Sequence, residues 1–258
     1  MNQTFGDYIR VAANGHVAVV TLDRPPHNHV SVGFMSDLAD ALEAIDDEVE
    51  LRCTLIQADG KNFCAGADLV RSEGEGGLGG VNPLYDQAVR LFSAKKPVVA
   101  AVQGAAVGAG LGLAVMADFR VASPDARFAA NFVKLGFHPG FGLTHTLPRL
   151  IGHSRAQLMF LTGRRVKAED GLAWGLVDEV VPLQNLRAAA LRLATEIAEN
   201  APLALIATRK TLRADLAAAV RAQTDKEAAE QGWLRDTADY KEGVLSVSER
   251  RLGNFVGR

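Results

Sequence analysis

A chain of 258 residues with 48% hydrophobic and 22% charged side chains is long enough to bury a substantial core and has the balance of a soluble globular protein. Its formal net charge of −2 gives no electrostatic case for nucleic acid or a membrane surface, and no apolar run approaches the ~20 residues that span a bilayer. Cys53 and Cys64, the two cysteines, show neither metal-ligand spacing nor a disulfide framework, and Met1 to Arg10 lack a signal or transit pattern, so a reducing cytoplasmic location is the expectation.

His16 to Leu22 alternates and is β-branched, which predicts a strand; Asp23 to Asn28, with two prolines, predicts a loop. Phe34, Leu38, Leu42 and Ile45 recur at helical spacing. The apolar run Leu51 to Ile56 reads as a buried strand, punctuated by Asp59-Gly60 and followed by the small residues Ala65-Gly66-Ala67. A helix starting near Ala67 would turn the free N–H groups of its first turn toward this loop. Arg71 to Asn82 carries five glycines and reads as a surface loop, with a lid over a bound chain as the sharper alternative.

Leu84 to Ser93 predicts a helix, and Pro97 to Val102 a second buried strand. Gly104 to Gly112 repeats the small-residue loop before an apolar helix over Leu111 to Ala117. Two strand–loop–helix units of this kind can aim two backbone N–H groups at one oxygen, the arrangement a developing oxyanion needs. Short strands are expected near Phe119–Val121 and Val177–Val181. From Leu183 onward only helices are predicted, over Leu186–Glu199, Leu203–Leu216, Asp225–Asp236 and Tyr240–Ser248. The chain therefore divides into an α/β part, 1–200, and an all-helical part, 201–258, with the boundary at Asn200-Ala201-Pro202.

Phe63-Cys64-Ala65-Gly66-Ala67-Asp68-Leu69 and Ala101-Val102-Gln103-Gly104, with Gly108-Ala109-Gly110 beyond, carry a resemblance. With Leu135-Gly136, Pro139-Gly140, Leu161-Thr162-Gly163-Arg164, Ala173, Gly175-Leu176-Val177 and Lys241-Glu242-Gly243, this order resembles the crotonase superfamily, the enoyl-CoA hydratase/isomerase family, over nearly the whole chain. The resemblance implies a crotonase-like spiral of ββα units with a C-terminal helical trimerisation region, assembled as a homotrimer or a dimer of trimers. It implies an acyl-CoA substrate, coenzyme A being part of that substrate and no cofactor tightly bound.

Carried over by the resemblance, the thioester carbonyl lies between the amides of Ala65 and Ala109, and the rest of coenzyme A lies near Arg24, Pro26, His27, Ala67, Asp68 and Leu69. Arg250 falls where the family uses a lysine of a neighbouring subunit for the CoA phosphates, and it can serve with a forked donor. The family's hydratases use two glutamates for proton transfer; those positions here hold Gly112 and Phe132, neither of which moves a proton. His138 is the expected substitute, with a pKa near ~6.5 in its ordinary state, the alternative being a histidine bonded to backbone at a turn. His27 and His29 invite a metal reading, but no third ligand has suitable spacing, so no metal is expected. The expectation is an enolate-stabilising enzyme other than an ordinary two-glutamate hydratase: a decarboxylase, isomerase, hydrolase or histidine-assisted hydratase. The alternative is a non-catalytic acyl-CoA-binding or assembly protein.

Overall fold

The structure is a computed structural model that describes residues 1–67 and 83–258. The helix start expected after Ala67, the contacts expected of Asp68 and Leu69, and the glycine-rich 71–82 segment lie outside the described residues.

The chain opens on an antiparallel meander, β1 (Asn2–Phe5), β2 (Ile9–Asn14) and β3 (Val17–Leu22), followed by α1 (Val32–Asp47). Ser31 caps α1, its Oγ accepting from Phe34 N at 3.3 Å. β4 (Cys53–Ala58) runs parallel to β3, and β5 (Val98–Val102), after α2 (Pro83–Phe92), runs parallel to β4. β6 (Ala105–Val107) and α3 (Ala109–Met116) then lead to β7 (Phe119–Ala122), which pairs in parallel with β5. β8 (Arg127–Ala129), α4 (Leu143–Ile151), α5 (His153–Thr162), β9 (Arg165–Lys167), α6 (Ala168–Trp174) and β10 (Glu179–Val180) follow. The main sheet has the order β1-β2-β3-β4-β5-β7-β10, and β6-β8-β9 form a smaller one.

Side chains on a strand alternate between faces, and β4 and β5 are buried on both. Ile56, Ala58, Val98, Ala100 and Val102 enter the main core with α1, α2 and α3, while Cys53, Leu55, Val99 and Ala101 enter a second core under α7 (Leu186–Ala198). This two-sided burial makes them continuous apolar runs. Arg120 of β7, only 2% exposed, sits beneath them and donates from Nε to Leu176 O and from Nη1 to Ala117 O, both at 2.7 Å. It thereby satisfies a carbonyl that the end of α3 leaves open.

α8 (Pro202–Arg213), α9 (Leu216–Leu234) and α10 (Ala238–Ser248) are the last helices of the chain. Val220 and Ala228 of α9 belong to the main core, so the helical part shares one core with the α/β part. No helix among the described residues is long and apolar enough to cross a membrane.

Candidate active site

The loop after β4 and the loop before α3 are stitched together by backbone. Phe63 N donates to Gln103 O (2.8 Å), Cys64 N to Ala105 O (2.9 Å), and Val107 N to Cys64 O (3.1 Å). Glycine makes this approach possible. A Cβ on Gly110 would stand 2.1 Å from Cys64 O, and one on Gly66, whose φ is +96°, would stand 2.8 Å from Val107 O. A third strand of the stitch is the loop after β3. Asn28, buried with φ at +53°, donates through Nδ2 to Asp59 O and Asn62 O, both at 2.9 Å, which presses His27 and His29 against the first loop.

The amides of these loops can be followed bond by bond. In a trans peptide the C=O of one residue and the N–H of the next point in opposite directions. Cys64 O faces Val107, so the N–H of Ala65 faces the other way and is donated to His27 O at 3.1 Å. The expected role of Ala65 is thereby corrected: its N–H is committed to backbone. Gly66 O faces Val30 N (2.9 Å) and His29 Nδ1 (3.1 Å), so the N–H of Ala67 turns back toward the strand and helix that bear Ala109. Among the described residues neither the Ala67 nor the Ala109 amide meets an acceptor, and Ala109 is the first residue of α3, where none is available within the helix.

Ala65, Ala67 and Ala109 line one cavity of about 320 Å³. Phe132, Leu135, Phe137 and Phe141 supply its apolar wall, and Tyr85, Gln231 and Arg235 come to it from α2 and the end of α9. No carboxylate appears among its described lining residues. Phe132 occupies the wall, and a Cβ on Gly112 would stand 2.3 Å from the Phe141 ring. The space that a side chain at 112 would need is therefore filled by Phe141.

His138 does not reach this cavity. Its Nδ1 lies 2.7 Å from Pro139 O, its carbonyl accepts from Gln231 Nε2 at 2.8 Å, and its side chain lines a neighbouring cavity with Phe160 and Trp233. His29 does line the cavity. Gly66 O can only accept, so the bond to Nδ1 assigns the proton there and leaves Nε2 as an acceptor. Cys64 is fully buried and desolvation pushes its thiol up to about 12, so it is no nucleophile.

Arg24, Pro26 and His27 lie on the rim loop beside His29. Arg24 Nη1 donates to His29 O, its guanidinium lies 5.6 Å from the Tyr8 ring centre, and His27 Nδ1 lies 3.0 Å from Asn62 Nδ2. Arg250 is exposed just beyond α10 and does not line the cavity of its own chain. Glu227, fully buried on α9, accepts from Gly142 N (2.7 Å) and Thr144 N (3.0 Å) at the start of α4. Desolvation pushes its carboxyl up to about 7 against those hydrogen bonds.

A parallel-rich α/β fold that brings two small-residue loops to one cavity, with amides left free at its wall, defines a crotonase-fold protein. A family model for enoyl-CoA hydratase/isomerase matches residues 12–258. The chain is 37% identical to a carnitinyl-CoA dehydratase of Salmonella typhi, over 97% of this chain and 98% of the relative. It is 34% identical to the 2,3-dehydroadipyl-CoA hydratase of Escherichia coli, over 96% and 98%. The crystal structure of an enoyl-CoA hydratase/isomerase from Pseudoalteromonas atlantica superposes with a TM-score of 0.88 at 29% identity, covering 97% of this chain and 100% of the other. The chain belongs to the enoyl-CoA hydratase/isomerase family.

Proposed function

We propose that this protein processes an acyl-CoA by holding a thioester enolate between the amides of Ala67 and Ala109, without the two glutamates of the family's hydratases. The observation that carries this reading is the composition of one wall: two amides without acceptors, and no carboxylate among its described residues. Amide donors placed where charge develops are worth more in a site that excludes water, and the phenylalanines at 132, 137 and 141 give this one an apolar wall. The rest of coenzyme A runs along Arg24, Pro26 and His27.

Proton carriers then select among reactions. Water addition needs a base toward water and an acid toward the α-carbon, and each missing carrier costs roughly 10²–10⁴ in rate. His29 is the one histidine on the described wall, which favours reactions needing at most one carrier. Decarboxylation is the least demanding: the bond from the carboxylate to the α-carbon breaks, its electron pair forms the enolate, and the α-carbon later takes a proton. A double-bond shift is the other, since one base removes a proton and returns it to a different carbon. The absence of a glutamate pair also favours a second reading, an acyl-CoA-binding protein without turnover.

Purified protein incubated with saturated, 2-enoyl, 3-enoyl and malonyl-type CoA thioesters, read by mass spectrometry and chromatography, separates these readings. Loss of CO₂ or a shifted double bond is the expected outcome; tight binding with no turnover favours the binding protein. Ala109→Pro removes one amide at a helix position that tolerates proline, behind a glycine with no Cβ to crowd the ring. Loss of one such donor should lower kcat by about 10²–10³, and unchanged turnover would sink the assignment.

A further inference from the structure

We propose that Arg235 is a specificity-determining residue that receives a carboxylate carried by the acyl group, so that the substrates are CoA thioesters of dicarboxylic acids. This rests on the acyl-CoA reading above.

Arg235 follows α9 and lines the cavity on a wall distinct from the two loops that bear the amides. Its guanidinium lies 5.3 Å from the centre of the Phe137 ring, and its Nε is buried with no hydrogen-bond partner. Arg52, Arg209 and Arg213 also carry one buried nitrogen without a partner, but each is held by another of its nitrogens: Arg52 by Ala198 O at 3.3 Å, Arg209 by Asp118 at 2.8 Å and Arg213 by Asp118 at 3.0 Å. Among the described residues Arg235 has no ion pair and no side-chain hydrogen bond. Arg235 is half-buried, and a buried N–H without a partner is unfavourable unless a ligand completes it.

The neighbouring polar groups do not complete it. Tyr85 Oη donates to Gln231 Oε1 at 2.7 Å and Gln231 Nε2 donates to His138 O, so that pair is committed to shaping the wall. Glu227 lies on the same helix and is engaged at the start of α4. With no acid among the described lining residues, Arg235 is the one formal charge they present. A planar guanidinium with adjacent Nε and Nη donors matches a carboxylate in two parallel hydrogen bonds. Holding the carboxylate in this way stabilises it as a carboxylate, so the group at Arg235 stays on the acyl chain and is not the one lost in a decarboxylation.

The test is calorimetric binding of hexanoyl-CoA, succinyl-CoA, glutaryl-CoA and adipyl-CoA to the full chain. At least one dicarboxylic thioester should bind roughly tenfold or more tightly than hexanoyl-CoA, in line with a charge-assisted hydrogen bond. The ratio should shrink as salt rises. Arg235→Leu should bring the ratio to about one while Arg235→Lys retains part of it, as expected of a charge without the fork. Hexanoyl-CoA binding as tightly as every dicarboxylic thioester overturns the proposal. Equal weakening of all thioesters by Arg235→Leu also overturns it, since that is what a packing role against Phe137 would give. If no thioester binds, hexanoyl-CoA included, the acyl-CoA reading itself fails and this proposal with it.

Discussion

Gly112 and Phe141 are packed so that the ring of one fills the space a side chain at the other would need. Phe141 is 1% exposed, holds φ at +66° between two glycines, and packs edge-on against Phe92 with ring centres 6.4 Å apart. A ring so fixed cannot step aside cheaply for a side chain at 112, whose Cβ would lie 2.3 Å from it. Gly112→Glu should therefore cost about 1–3 kcal/mol in urea unfolding, the usual range for overpacking, and should confer no hydratase activity by itself. Phe141→Ala removes the obstacle at its own cavity cost. The double variant should lose less than the sum of the single losses, as residues in contact do, and strict additivity would show that the ring is not the obstacle. The same residue scale shows why the site was half legible in the sequence. Small-residue loops announce free amides, and the family resemblance is what points to Ala109 among them. Which amide of Ala65-Gly66-Ala67 is free depends on which way each peptide faces, and that is set by Val107, Val30 and His27 from elsewhere in the chain. His138 is only six residues beyond Phe132, yet Gly136 turns into the left-handed region (φ +63°) and carries the histidine into another cavity.

Between elements, the contact with the clearest pH signature is the one in which α9 caps α4. The carboxyl of Glu227 receives the first N–H groups of α4, as an N-cap side chain would. Its folded pKa, pushed up to about 7 from the usual 4.5, means that the native chain keeps a proton that the unfolded chain has already lost. The stability it contributes is whole below the unfolded value and is lost as pH rises through the folded one. Between pH 5 and 8 the loss should be on the order of 2 kcal/mol, and Glu227→Gln should flatten that part of the urea-midpoint profile. A wild-type profile no steeper than that of Glu227→Gln would refute it. Elements with strong periodicity, such as α1 and α7, and strands buried on both faces, β4 and β5, were readable from residue type alone. β6, β8 and β9 are three residues each and carry too short a pattern to detect. α9 extends back to Leu216 through Ala217, Ala218, Ala219, Arg221 and Ala222, where alanine shows propensity but no apolar stripe. Tyr85 and Gln231 meet across 146 positions, a pairing that only the docking of α2 on α9 creates.

At the scale of the molecule, α8 is a twelve-residue helix whose single buried residue is an arginine. A helix of this length is marginal without tertiary packing, yet its anchors within the chain are polar. Arg209 and Arg213 both pair with Asp118, at 2.8 and 3.0 Å, while Leu203 and Leu212 are 81% and 79% exposed. Leu161 of α5 and Trp233 of α9 are likewise 76% and 59% exposed. Scattered apolar side chains need no explanation in a monomer, and Leu203 and Leu212, nine residues apart, project from opposite sides of α8; exposed leucines on both flanks of a helix held only by arginines suit contact with another copy of the chain. The family resemblance implies a homo-oligomer, with the trimer as the specific expectation, and we propose that α8 is part of its interface. Sedimentation velocity at micromolar concentration should give a single species heavier than the chain. Leu203→Asp with Leu212→Asp should shift it toward the monomer and lower its melting temperature, because α8 then keeps only its arginine anchors. A wild-type chain that sediments as a monomer at tens of micromolar would show that those leucines face solvent, leaving the Asp118 pairs alone to hold α8.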